Sequence, residues 1–188
     1  MNSKKKIAVF ASGSGSNFQA IAEACIKGRI NARVALCVCD HPGAYVVQRA
    51  EKLDIPVLEL RPKSYPSKAE YEKVIVEELA KKEVEFICLA GYMRIIGDVI
   101  LKEYEGKIIN IHPSLLPAFP GVDAIGQALN YGVKVFGVTV HYVDHTLDGG
   151  KIISQAAIPY DGDDREELET MIHAREHALY VSTLRNLL

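Results

Sequence analysis

The 188-residue chain contains no apolar run near the ~20 residues that a bilayer-spanning helix requires. It also lacks a dominant charge: 22 Lys and Arg stand against 24 Asp and Glu, a formal net charge of −2. That balance argues against nucleic-acid binding through gross charge, while leaving room for a small local anion site. The only basic cluster, Lys4-Lys5-Lys6, reads as a solvated edge. A signal-peptide profile is missing, because the apolar run Ile7 to Ala11 is short and Gly and Ser follow it at once. Cysteine is sparse, and Cys25, Cys37, Cys39 and Cys88 all fall inside apolar segments, as suits reduced, buried thiols in a cytoplasm. Cys37-Val38-Cys39 could be a metal half-site, but no second Cys pair at zinc spacing accompanies it, so core packing is the reading. No internal repeat, low-complexity tract or linker divides the chain, and one domain over residues 1–188 is the economical expectation.

What is present is an alternation of short apolar runs with helical patterns. The run 7–11 predicts a strand, and the segment from Asn17 to about Lys27 predicts a helix, with Phe18, Ile21, Ala22, Cys25 and Ile26 at helical spacing and Gly28 as a stop. Strands are expected at 33–40, 56–60, 86–91 and 107–112, and helices at 43–55, 67–82 and 97–106. Continuous apolar strands alternating with helices imply a parallel sheet covered on both faces. After residue 123 the pattern changes: a short helix is followed by two longer runs, 133–143 and 151–160, joined by "DHTLDGG", which suggests an antiparallel extension. A last helix is expected from Asp164, with Asp164 and Glu167 forming a capping box. The predicted class is α/β: a Rossmann-like open, mainly parallel twisted sheet with helices on both faces and an antiparallel extension near the C-terminus.

In such a sheet, ligands bind beyond the carboxyl ends of the strands, where strand order reverses. Asn110 and His112 end the run 107–112, and side chains two apart on a strand share a face, so they converge. An Asn can donate to a developing oxyanion, and a carboxylate beside an imidazole favours its charged form. Asp144 and Asp148, in the loop ahead of Gly149-Gly150, are the candidate carboxylates, although spacing alone does not bring Asp148 to His112. The first loop, "SGSGSN", offers glycines before a helix N-terminus, which favours a phosphate. It completes neither G-x-G-x-x-G, since position 18 is Phe, nor the P-loop, since Gly-Lys-Ser/Thr is missing. A monophosphate cradle and a ligand-free tight turn both remain open at this point. His173 and His177 lie four apart on the last helix, but a third zinc ligand is not placed. His41 and His145 read as loop residues and His141 as an exposed strand position.

"NIHPSLLP" followed by "FPG", with "DGG" about thirty residues on, "SGSGSN" after the first strand and "REHALY" in the last helix, resembles the 10-formyltetrahydrofolate-dependent formyltransferase family. The likeness runs over nearly the whole chain. It implies transfer of a formyl group from 10-formyltetrahydrofolate, as co-substrate and without a metal, to the primary amine of glycinamide ribonucleotide. In that scheme Asn110 and His112 hold the formyl oxygen as it becomes an oxyanion, His112 is also general acid, and Asp148 orients and charges it. Gly15, Ser16 and Asn17 match the motif that binds the ribonucleotide phosphate. Glu176 matches the carboxylate at the substrate amine end, with His173, Ala174 and Arg175 in the same segment. Met93, Arg94, Ile95 and Ile96 match a folate-contacting stretch, as does the loop Asp144, His145, Thr146, Leu147 and Asp148. Lys68 stands where relatives often carry Arg near the folate, keeping the charge but losing the planar fork. The segment after Pro120-Gly121 lacks the histidines that some relatives carry.

The implied partners are small molecules, with no nucleic acid and no membrane, for a cytoplasmic monomer or homodimer. Two rivals lie inside the family: formylation of charged tRNA, expected to need a second domain and a basic surface, and hydrolysis of the formyl folate, which has no need of a phosphate loop. A nicotinamide-dependent oxidoreductase, with Asp40 taking the ribose, is disfavoured by the absent third glycine. A non-enzymatic phosphometabolite-binding module would bind ligand without folate-dependent turnover.

Overall fold

The computed structural model describes residues 4–188. Strands β1 (Lys5–Ala11), β2 (Ala32–Cys39), β3 (Val57–Glu59), β4 (Phe86–Leu89) and β5 (Ile108–His112) pair in parallel. Strands β6 (Val135–Tyr142) and β7 (Ile152–Pro159) extend the sheet antiparallel on the β5 side. The order is β3-β2-β1-β4-β5-β6-β7. Successive strands step outward from β1 one way and from β4 the other, so the chain reverses direction across the sheet between β1 and β4. A crevice at the carboxyl ends of these two strands is the geometric consequence.

The helices are α1 (Ser16–Ile26), α2 (Tyr45–Lys52), α3 (Lys68–Lys81), α4 (Asp98–Glu103), α5 (Ala124–Tyr131) and α6 (Arg165–Leu187). Alternation along β1 divides the core in two. Ile7, Val9 and Ala11 pack with Phe18 and Ile21 of α1, Val46 and Ala50 of α2, and Tyr180 and Leu184 of α6. Ala8 and Phe10 pack on the other face with Tyr71, Ile75 and Leu79 of α3 and Ile100 and Leu101 of α4. A third cluster joins Ile125 and Ala128 of α5 to Phe136 and Val138 of β6 and to Leu168 and Ile172 of α6. With both faces covered, the inner strands must be apolar at every position, which is why they read as unbroken runs rather than alternations.

Helix α6 begins as its sequence requires, though not with the full capping box. The Asp164 carboxylate accepts from the N–H groups of Glu166 and Glu167 at 2.9 and 3.1 Å. Glu167 does not reach back; it takes the hydroxyl of Tyr160 at 2.9 Å instead. Further along, the wholly buried Tyr180 hydroxyl donates to the carbonyls of Leu89 at 2.9 Å and Ile109 at 3.2 Å. Helix α6 is thereby tied to the ends of β4 and β5, next to the crevice.

Candidate active site

A cleft of about 660 Å³ opens at those strand ends. Its wall combines the loop after β1 (Ser14 to Asn17), the loop after β4 (Gly91 to Ile96), the end of β5 (Asn110 to Pro113), residues 121–125, the loop 143–148 and two residues of α6, His173 and Glu176.

Register explains which side chains converge on the β5 side. Asn110 lies opposite His141, and His112 opposite Thr139, in the antiparallel β5–β6 pair. Directly opposed residues share a face, so Asn110, His112, Thr139 and His141 all point the same way. His141 is therefore not the exposed strand position expected from sequence; it is 2 % exposed. On that face the opposed Asn110 and the loop that carries Asp148 lie against its ring and cover it. Thr139 braces the turn after His112: its hydroxyl donates to the Ser114 carbonyl at 2.7 Å and accepts from the Leu116 N–H at 3.1 Å.

Asp148 sits between the two imidazoles. Its carboxylate lies 3.6 Å from Nδ1 of His112 and 3.8 Å from Nε2 of His141. Both separations are too long for hydrogen bonds, so the carboxylate acts on the two rings through its charge. The carboxylate's orientation is set by the Gly121 N–H, which donates to Oδ2 at 2.8 Å. The other ring nitrogen of His112, Nε2, lies 2.9 Å from the Phe119 carbonyl. Both nitrogens of His112 thus face acceptors, and the ring can donate in either direction.

His141 has one strong partner, the Tyr142 carbonyl, 2.8 Å from Nδ1. A carbonyl only accepts, so the Nδ1 position carries the proton and Nε2 is left to accept. It does so from the Asn110 amide, 3.3 Å away. Burial lowers the His141 pKa below its ordinary 6.5, partly offset by the Tyr142 carbonyl and Asp148, which favour the charged ring. The arrangement fixes which end of the Asn110 amide is nitrogen, and leaves its second N–H for the cleft.

On the opposite wall, Oε2 of the buried Glu176 accepts from Nδ2 of Asn17 at 3.0 Å and from Nδ1 of His173 at 3.0 Å. That bond raises the His173 pKa. Asn17 therefore commits one of its two side-chain N–H groups to Glu176, and the backbone N–H groups of this loop stand beside it as further donors. Gly15 is the left-handed N-cap of α1, with φ of 72°.

Three residues expected near ligand do not line the cleft. Lys68 does not line the cleft; it sits at the first turn of α3, 3.9 Å from the buried Glu72. Ala174 and Arg175 also lie outside the lining, because only positions three or four apart on α6 share a face and His173 and Glu176 take the one that meets the cleft. Met93, Arg94, Ile95 and Ile96 do line it, as do Asp144, His145, Thr146, Leu147 and Asp148. Met93, Ile95, Val122 and Leu147 form an exposed apolar rim. Arg94 is anchored by Asp40, its Nε 2.8 Å from Oδ2, so Asp40 is engaged in an ion pair across the strand ends. Among the described residues, no group of three His, Cys, Asp or Glu converges as metal ligands. Sequence reasoning missed His141, Thr139 and Phe119, whose roles depend on cross-strand register or on a backbone carbonyl.

The family model described as formyl transferase matches residues 5–184. Phosphoribosylglycinamide formyltransferase of Bacillus subtilis (strain 168) is 56% identical over 185 residues, covering 98% of this chain and 95% of that protein. The trifunctional purine biosynthetic protein adenosine-3 of Drosophila melanogaster is 41% identical over 177 residues, 93% of this chain but 13% of that longer protein. The crystal structure of glycinamide ribonucleotide transformylase 1 from Geobacillus kaustophilus superposes with a TM-score of 0.96 at 56% identity, covering 98% of this chain and 99% of that one.

Proposed function

The chain belongs to the formyl transferase family, and on that footing we propose that it transfers the formyl group of 10-formyltetrahydrofolate to the amine of glycinamide ribonucleotide, a step of de novo purine biosynthesis. The observation that carries the reading is the convergence of Asn110, His112 and Asp148 in one cleft with the loop Gly15 to Asn17. A donor for an oxyanion, an acid and its counter-charge stand at one end, and an anion-binding helix N-terminus at the other.

The donor fits the cleft by its chemistry: the apolar rim of Met93, Ile95 and Leu147 suits a flat ring system, and its formyl group is the one-carbon unit to be moved. This chain's residues manage charge. As the amine nitrogen bonds to the formyl carbon, negative charge gathers on the formyl oxygen, where the second N–H of Asn110 and an N–H of His112 receive it. Donation from Nε2 of His112 means exchanging the Phe119 carbonyl for that oxygen. Asp148 supplies the compensating negative charge beside the ring and accepts the proton that the amine loses; that proton is delivered to the folate nitrogen, which takes the electron pair as its bond to the formyl carbon breaks. Gly15, Ser16 and Asn17 offer backbone N–H groups to the phosphate. Glu176, with one oxygen held by Asn17 and His173, presents the other to the substrate.

The reaction is neutral overall in charge and redox state, and the residues named suffice for it. The four buried, free cysteines suit a reducing cytoplasm. Purified protein supplied with 10-formyltetrahydrofolate should formylate glycinamide ribonucleotide and should use neither charged tRNA nor water at a comparable rate. Absence of transfer to the ribonucleotide, or preference for either alternative acceptor, rejects the assignment.

A further inference from the structure

Helix α2 does not line the main cleft, yet it grips the back of the loop that the proposed function assigns to phosphate. Three contacts do this. The Val46 N–H donates to the Gly13 carbonyl at 3.1 Å. Nε of Arg49 donates to the Ser14 carbonyl at 2.7 Å. The Val46 side chain lies so close to Gly15 that a Cβ there would stand 2.5 Å from Cγ2. Arg49 is itself held in place, its guanidinium 4.8 Å above the Tyr45 ring and bonded to the Gln19 side-chain oxygen.

The planar trans peptide turns these contacts into a statement about the other side of the loop. In each peptide unit the N–H points opposite to the C=O. With the Gly13 and Ser14 carbonyls drawn toward α2, the N–H groups of Ser14 and Gly15 are sent away from it, and Ser14 and Gly15 line the cleft. Among the described residues, the N–H groups from Ser14 to Asn17 find no carbonyl partner in loops or turns. Successive free N–H groups of this kind make an anion-binding nest, continued here by the N-terminus of α1. The first turn of α1 contains no acidic residue that would compete.

We propose that Arg49 is a positioning residue for substrate phosphate: from behind the loop it turns the Ser14–Gly15 peptide so that its N–H faces the anion. The inference rests on the formyltransferase reading and extends it to a residue outside the cleft. Arg49 touches no substrate, so its loss weakens phosphate capture and leaves the formyl-transfer chemistry alone.

The test compares Arg49→Ala and Arg49→Lys with the wild type, using glycinamide ribonucleotide and the dephosphorylated glycinamide riboside as acceptors. For Arg49→Ala the KM for the ribonucleotide should rise about tenfold or more, with kcat and the folate KM within about twofold. The riboside should be used equally by both proteins, and inhibition by inorganic phosphate should weaken by the same factor as the KM. Arg49→Lys, which keeps charge without the planar fork, should recover part of the loss. An unchanged ribonucleotide KM, or an equal loss on the riboside, overturns the proposal while leaving the formyltransferase reading intact. Wild-type protein inert toward the ribonucleotide overturns both.

Discussion

At the scale of single residues, the site is a set of short polar contacts whose meaning comes from what each atom can donate. Under the proposed function Asn110 and His112 donate to the formyl oxygen, and oxyanion donors of this kind are typically worth ~10²–10³ in rate. Replacing either with Ala should cut kcat by about that factor, with the thermal midpoint shifted by no more than a few degrees, as followed by steady-state kinetics and calorimetry. A folded His112→Ala protein with wild-type turnover would remove His112 from the mechanism. His141 belongs beside them. Without it, the amide of Asn110 has no partner that tells its oxygen from its nitrogen, and a neutral acceptor is what the buried, low-pKa ring provides.

At the scale of elements, the helix ends carry the argument. Helix α6 delivers Glu176 and His173 to the cleft and Tyr180 to the strand ends, so its start must be secure. Asp164 caps two N–H groups there. Asp164→Ala should lower unfolding free energy by about 1 kcal/mol, the usual worth of such a cap, with kcat unchanged because the cap lies more than two turns from Glu176. Urea denaturation alongside the transfer assay separates the two effects; a matching fall in kcat would mean that the cap governs the site as well as the helix. Capping by Asp164 was legible in the sequence. The partner of Glu167 was not, because Tyr160 directly follows β7 and its hydroxyl reaches the glutamate only through the turn between β7 and α6.

At the scale of the whole molecule, burial sets the titration behaviour. Cys25, Cys37, Cys39 and Cys88 are at most 3 % exposed, and burial pushes the Cys25 and Cys37 thiols up to about 11 and about 12. All four should resist a thiol reagent at pH 8 in the native protein and react together on unfolding; rapid reaction of any one in the native state would contradict this burial. His141 titrates below its ordinary 6.5 because it is buried. The unfolded chain therefore binds a proton on acidification before the native state can, and stability is lost as pH falls from 6.5 through the folded pKa. His173 runs the other way: its pKa is raised by Glu176, so its contribution is present below 6.5 and is lost as pH rises through the folded value. His177, lowered by burial, acts in the same direction as His141, and on going from pH 7 to pH 5 the urea midpoint of His141→Gln should change less unfavourably than that of the wild type. Equal loss in both proteins would assign the acid sensitivity to other groups.

The sequence by itself determined the order and type of the elements, because apolar period and turn residues are local properties. It also marked the strand ends at Asn110, His112 and the glycine loop, since side chains two apart on a strand must share a face. It did not place Lys68 outside the cleft or His141 inside it. Lys68 is carried away by α3, and His141 is covered by Asn110 across the β5–β6 pair and by the loop that carries Asp148. Nor could it show that Asp148 lies between two imidazoles. That needs the β6–β7 loop and residues 119–121 to meet in space, and the meeting is made by antiparallel pairing and packing between segments distant in the chain.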